Sequence, residues 1–214
     1  MKPRLSPQRI RALTRIEVLV IIAAVVILAA LFLPALAAAK RKSSRINCVS
    51  CLKQIGVAFH IWEGDHDNKY PMSVSAANGG ALELVVTGNV AACFQVMSNE
   101  LATPRVLLCP EDGYHHWATN FFTLQNSNIS YFIGLDADER NPQMILDGDD
   151  NLLVDGKPVQ PGILTLTINS HIAWTKDRHK GYGNIGFADG HVDQVSNDGL
   201  NRLLGAATNR LVIP

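Results

Sequence analysis

Between Val18 and Ala39 the chain runs for 22 residues without a charged side chain, a stretch of Val, Ile, Leu, Ala and Phe interrupted by Pro34. At a rise of about 1.5 Å per residue, a helix of this length matches the ~30 Å hydrocarbon thickness of a bilayer. A core helix of a globular domain rarely stays apolar on every face for so long. The run therefore predicts a membrane segment. Charge placement agrees with it. Residues 1–53 hold ten Lys/Arg against one acid, Glu17, whereas residues 54–214 hold nine Lys/Arg against eighteen Asp/Glu. The net charge of zero conceals a basic, apolar anchor followed by an acidic head. No nucleic-acid partner is expected, because such a partner requires a cationic patch on the folded body. With 47% hydrophobic residues the chain is too apolar for disorder, and four cysteines are too few for a disulfide-dense scaffold.

Three kinds of segment share this pattern. A secretory signal peptide could use Ala37-Ala38-Ala39 as its cleavage site, but its apolar stretch usually spans about 7–15 residues. Here Lys40, Arg41, Lys42 and Arg45 also follow at once, which suits a segment that stays in place. An ordinary signal anchor gives no reason for Glu17 at the edge of the apolar run. The stretch Ala12-Leu13-Thr14-Arg15-Ile16-Glu17-Val18-Leu19-Val20 resembles the prepilin processing motif of type IV pilins and type II secretion pseudopilins. That motif has a basic leader, a small residue before the cut, an apolar first mature residue and Glu at the fifth mature place. A cut between Ala12 and Leu13 makes Glu17 fifth and Pro34 twenty-second, where many pilins carry a helix-kinking proline. Ala12, Leu13 and Arg15 stand where the family prefers Gly, Phe and an apolar residue.

The resemblance implies cleavage and N-methylation by a prepilin peptidase, and assembly with other pilin-like subunits through the apolar helix. Glu17 would then pair with the N-terminal amine of a neighbouring mature chain. The implied organisation is a leader (1–12), a transmembrane helix (13–39), an amphipathic stem (40–64) and an extracytoplasmic α+β head (65–214). The implied location is the inner membrane, single-pass, with extraction into a periplasmic or surface fibre.

No glycine occurs between Leu13 and Ile55, so one helix can continue past the apolar run. Cys48, Leu52, Ile55, Phe59 and Trp62, spaced 4, 3, 4 and 3, form the stripe of an amphipathic helix that Gly64 and Asp65-His66-Asp67-Asn68 terminate. Cys48, Leu52-Lys53-Gln54-Ile55-Gly56 and Tyr70-Pro71 are similar to the stem of a large group of bacterial pilin-like proteins, in which Asn commonly stands at the place of Cys51. Cys48-x-x-Cys51 lies inside this helix, unlike a thioredoxin motif, and no second such pair supplies further zinc ligands. Disulfides persist in an extracytoplasmic head. Four cysteines allow three full pairings among which sequence does not choose; a Cys48–Cys109 bond, tying stem to head, is the preferred one.

In the head, Ala81–Val86 and Ala91–Leu101 read as helical, Val106–Cys109 as a short strand stopped by Pro110, and His115-His116 as surface loop. Ile129–Gly134 reads as a central strand and Ile163–Thr167 as another. The acidic segments Asp136–Glu139 and Asp147–Asn151 read as solvated loops. Asp147, Asp149 and Asp150 are candidate calcium ligands, but the EF-hand spacing is missing, so no cofactor is expected. Asn184–Asp193 reads as a hairpin closed by a two-residue Asp189-Gly190 turn. His179 and Asp189-Gly190 form an H-x9-DG pattern that resembles the C-terminal signature of the same pilin-like group. His171, His179, Asp189 and His191 could suggest a metal or acid–base site, yet no nucleophile–base pair is spaced among them. A hydrogen bond from His179 that fixes the hairpin is the preferred reading. The expectation is a pilin-like α+β structural subunit, not an enzyme, with a long N-terminal helix packed on a small antiparallel-sheet head. The alternatives are a membrane-anchored binding protein and an anchored metal-dependent enzyme.

Overall fold

The computed structural model describes residues 14–167, 169–204 and 209–214. Helix α1 spans Arg15–Gly64 with Pro34 in its interior. The chain divides into a first compact unit that ends at Ser43 and a second, Ser44–Pro214. In the first, Arg15–Pro34 is long and apolar enough to cross a membrane. Its apolar side chains are exposed, Ile16 and Phe32 among them.

The second unit is α+β. After the α1 segment come three short helices, α2 (Leu82–Val85), α3 (Val90–Val96) and α4 (Ser98–Leu101). Among the described residues nine strands follow: β1 (Tyr131–Gly134), β2 (Ile145–Asp149), β3 (Leu152–Val154), β4 (Lys157–Pro158), β5 (Gly162–Leu166), β6 (Ile172–Trp174), β7 (Tyr182–Phe187), β8 (Val192–Ser196) and, after helix α5 (Asn197–Leu204), β9 (Asn209–Ile213). The main sheet has the order β5-β9-β1-β2-β7-β8, with every neighbouring pair antiparallel. A smaller sheet has the order β4-β3-β6.

The central strands β1 and β2 are buried along their whole length, and successive side chains, sent to opposite faces, enter two different cores. Tyr131, Ile133 and Val212 join one core, where Cys48, Leu52, Ile55, Phe59 and Trp62 of α1 pack with residues of α2–α4. The stem stripe is thus buried against the sheet. Phe132, Leu211 and Ile213 join the other core with Trp174, Leu200 and Leu204.

Two local expectations are corrected. Val106–Cys109 is not a strand: Pro104–Leu107 is a 3-10 turn entered through Thr103, whose hydroxyl accepts the Arg105 N–H. The fixed φ of Pro104 favours such a start, and an apolar run of this length does not by itself distinguish strand from helix. The β7–β8 connection is also longer than a two-residue turn. Phe187 N–H donates to His191 O and Gly190 N–H to Phe187 O, leaving Ala188-Asp189-Gly190 as the loop. Only Gly190 of the three has a positive φ, +81°. This is the three-residue loop in which a left-handed glycine closes a type I turn.

Candidate functional site

Ala12 and Leu13, the processing residues expected from sequence, lie outside the described residues. Glu17 stands in the first turn of α1, and its carboxylate accepts the Thr14 N–H at 2.7 Å and the Thr14 hydroxyl at 2.8 Å. The Glu17 N–H in turn donates to Thr14 Oγ at 3.3 Å. This reciprocal pairing is a capping box, which satisfies two otherwise unpaired donors at the helix start. The Thr14-x-x-Glu17 spacing carries that signature in the sequence.

The motifs of the second unit converge at the junction of stem and sheet. Cys48 on α1 and Cys109, just after the Pro104–Leu107 turn, are joined in a disulfide with a Cα–Cα separation of 5.4 Å. His179 reaches the same place from the loop before β7. Its Nε2 lies 3.3 Å from Cys109 Sγ and 3.5 Å from Asp149 Oδ2. Its Nδ1 lies 2.9 Å from Glu111 Oε2, a charge-pair contact at hydrogen-bonding distance without a well-directed hydrogen bond. His179 and Lys180 both hold left-handed backbone, φ +52° and +56°, a conformation non-glycine residues adopt only when surroundings enforce it.

None of these partners belongs to the β7–β8 turn, which corrects the expectation that His179 pins that hairpin. The turn instead donates from the Ala188 and Asp189 N–H groups to Met144 O and Pro142 O, and it packs against α1. A Cβ placed on Gly56 would lie 3.7 Å from the Gly190 Cα, and one on Gly190 would meet His60 Nε2 at 3.1 Å. The Tyr70 hydroxyl donates to Ala188 O at 2.9 Å.

The residues considered for calcium do not form a solvated loop. Asp147 and Asp149 belong to strand β2 and are buried. Asp149 Oδ2 accepts the Asn184 N–H and side-chain amide at 2.7 and 2.9 Å, while neither Asp147 oxygen has a hydrogen-bond partner in the structure. Burial, then the nearby Asp149, holds Asp147 well above the usual carboxylate range. Asp150 turns elsewhere and accepts Arg178 Nη1 at 2.7 Å. Asp147 and Asp149 share one face of β2, but Asn184 takes up Asp149 and Arg178 takes up Asp150, so the three carboxylates do not converge on one point.

Arg178 anchors a polar network that had no signal in the sequence. Its Nη2 donates to Asp112, whose Oδ2 also accepts Ser130 Oγ–H at 2.6 Å and contacts His115 Nδ1 at 2.7 Å. Burial opposes charge on Asp112, but the His115 hydrogen bond and the Arg178 guanidinium outweigh it and hold that carboxyl well below its usual range. His115, expected on a surface loop, is therefore half-buried in this network.

His171 and His191 are placed differently from His179. The His171 N–H donates to Asp155, and the His191 ring stacks on Phe187 beside Asp189. Among the described residues, two groups could bring three metal-type ligands within 4.8 Å of one another: Cys48, Cys109 and His179, and Asp112, His115 and Asp150. Neither includes His171, Asp189 or His191. No family model, curated protein or solved structure matches the chain.

Proposed function

We propose that the chain is a pilin-like structural subunit, anchored by its apolar helix and able to polymerise through it in a type II secretion or type IV pilus-like assembly. A prepilin peptidase would process it between Ala12 and Leu13 at the inner membrane, leaving the head outside the cytoplasm. The observation that carries the reading is how the motif residues are used. Cys48 is bonded to Cys109, Gly56 meets Gly190, and Tyr70 donates to Ala188, so the stem and H-x9-DG motifs hold helix to sheet. Glu17 stands at one end of a helix with exposed apolar side chains. A carboxylate in an apolar bundle needs a partner there, which the amine of a neighbouring mature chain supplies.

A solitary membrane anchor is the second reading, favoured by the Thr14–Glu17 capping box, which gives Glu17 a partner within its own chain. Fibre entry by the wild type and by two variants separates the readings. Thr14→Ala removes the box alone and costs roughly 0.5–2 kcal/mol of helix stability, whereas Glu17→Ala removes the charge as well. If the assembly reading holds, Glu17→Ala inserts into membranes but fails to enter fibres, and Thr14→Ala enters them. Absence of the wild-type chain from fibres would favour the solitary anchor, and normal fibre entry by Glu17→Ala would show that Glu17 does not set the register.

A further inference from the structure

The buried junction of stem and sheet carries a second chemistry, which does not depend on the assembly reading. Cys48 Sγ, Cys109 Sγ and His179 Nε2 come within 4.8 Å of one another, all on buried residues. Nε2 is 3.3 Å from Cys109 Sγ and 3.5 Å from Asp149 Oδ2. Asp149 is fully buried, and its Oδ1 has no hydrogen-bond partner in the structure. Zinc–sulfur bonds of about 2.3 Å and zinc–nitrogen or zinc–oxygen bonds of about 2.0–2.2 Å place the ligand atoms of a tetrahedron about 3.3–3.8 Å apart. The separations of 3.3 and 3.5 Å fall in that range. Thiolate, imidazole and carboxylate are the donors zinc prefers.

We propose that reduction of the Cys48–Cys109 disulfide turns this junction into a zinc site, with Cys48, Cys109 and His179 as ligands, a fourth position open to water, and the buried Asp149 carboxylate beside it. Disulfide and metal are then alternative cross-links between the same two segments. With a phosphine as reductant, the S–S bond breaks, each sulfur gains a proton, and phosphorus takes the oxygen of one water to become a phosphine oxide. Zinc binding then releases the two thiol protons and leaves two zinc–thiolate bonds. The competing ligand pair is Cys48 with Cys51, three residues later on α1, where Cys51 is a free thiol.

The test uses the full chain in detergent, either untreated or reduced with a water-soluble phosphine, exposed to zinc alone and desalted. Metal content is measured by mass spectrometry, fold by circular dichroism, and thiol protection by alkylation and peptide mapping. One zinc per reduced chain is expected and none per untreated chain, with zinc shielding Cys48 and Cys109 from alkylation in a folded protein. Cys109→Ser and His179→Gln should weaken zinc binding by more than the roughly 10–100-fold that loss of an outer-shell partner costs, and Cys51→Ser should retain it. The alkylation map of the wild-type chain decides the ligands even if a variant fails to fold. Equal zinc in the untreated chain, less than one zinc in the reduced chain, unfolding on reduction, or loss of zinc in Cys51→Ser would each overturn the proposal.

Discussion

Gly56 of α1 and Gly190 of the β7–β8 loop approach backbone to backbone, close enough that a Cβ on Gly56 would lie 3.7 Å from the Gly190 Cα. The contact joins two motifs from distant parts of the chain, yet its two sides have different requirements. Gly190 needs its left-handed φ of +81°, whereas Gly56 sits inside a helix where a Cβ meets ordinary van der Waals distance. Gly190→Val should therefore destabilise the second unit by roughly 1–3 kcal/mol through backbone strain. Gly56→Ala should be neutral or stabilising by up to about 1 kcal/mol, since alanine is the better helix former. Urea unfolding followed by tryptophan fluorescence reads this unit selectively, because Trp62, Trp117 and Trp174 all belong to it.

The Cys48–Cys109 bond closes a sequence separation of 61 residues. Chain-entropy reasoning assigns such a cross-link about 4 kcal/mol, at the upper end of the usual range of about 2–4. The double variant Cys48→Ser/Cys109→Ser should lose about 2–4 kcal/mol in the same unfolding assay without metal. A loss below 1 kcal/mol would show that the packed stem, not the bond, secures the junction.

Much of this arrangement was legible because periodic burial dictates it. The stripe Cys48, Leu52, Ile55, Phe59 and Trp62 is buried throughout, as a 3-and-4 spacing demands. The run Tyr131–Gly134 likewise lies inside the main sheet. What failed were local choices settled by distant partners. Asp147 and Asp149 read as solvent-facing by charge, but β2 lies inside the sheet and carries them into the interior. Arg178 meets Asp112 and Asp150 only after the fold forms, and no periodic signal links them. The Thr14–Glu17 box is different, because its S/T-x-x-E signature is local and needs no distant partner.

Asp147 also gives a pH dependence with a definite sign. Burial and Asp149 raise its folded-state pKa, so the folded chain keeps a proton that the unfolded chain loses near the ordinary aspartate value of about 3.9. That contribution is fully present below about pH 3.9 and is lost as pH rises toward the folded value. Asp112 has the opposite sign: its depressed pKa adds stability at neutral pH that is lost in acid. Asp147→Asn removes the first term alone. Its stability should fall less than that of the wild type between about pH 4 and pH 8, measured by urea unfolding across that range. An unchanged pH slope would mean that Asp147 titrates alike in the folded and unfolded chains.

The central claim concerns how the chain is processed, and intact-mass and N-terminal peptide analysis of protein extracted from membranes tests it most directly. A mature chain that begins at Leu13, with a methylated amine, is expected from the pilin-like reading. A chain that begins at Lys40 would contradict it, because the apolar run would then be a removed signal peptide and Glu17 would be absent from the mature protein.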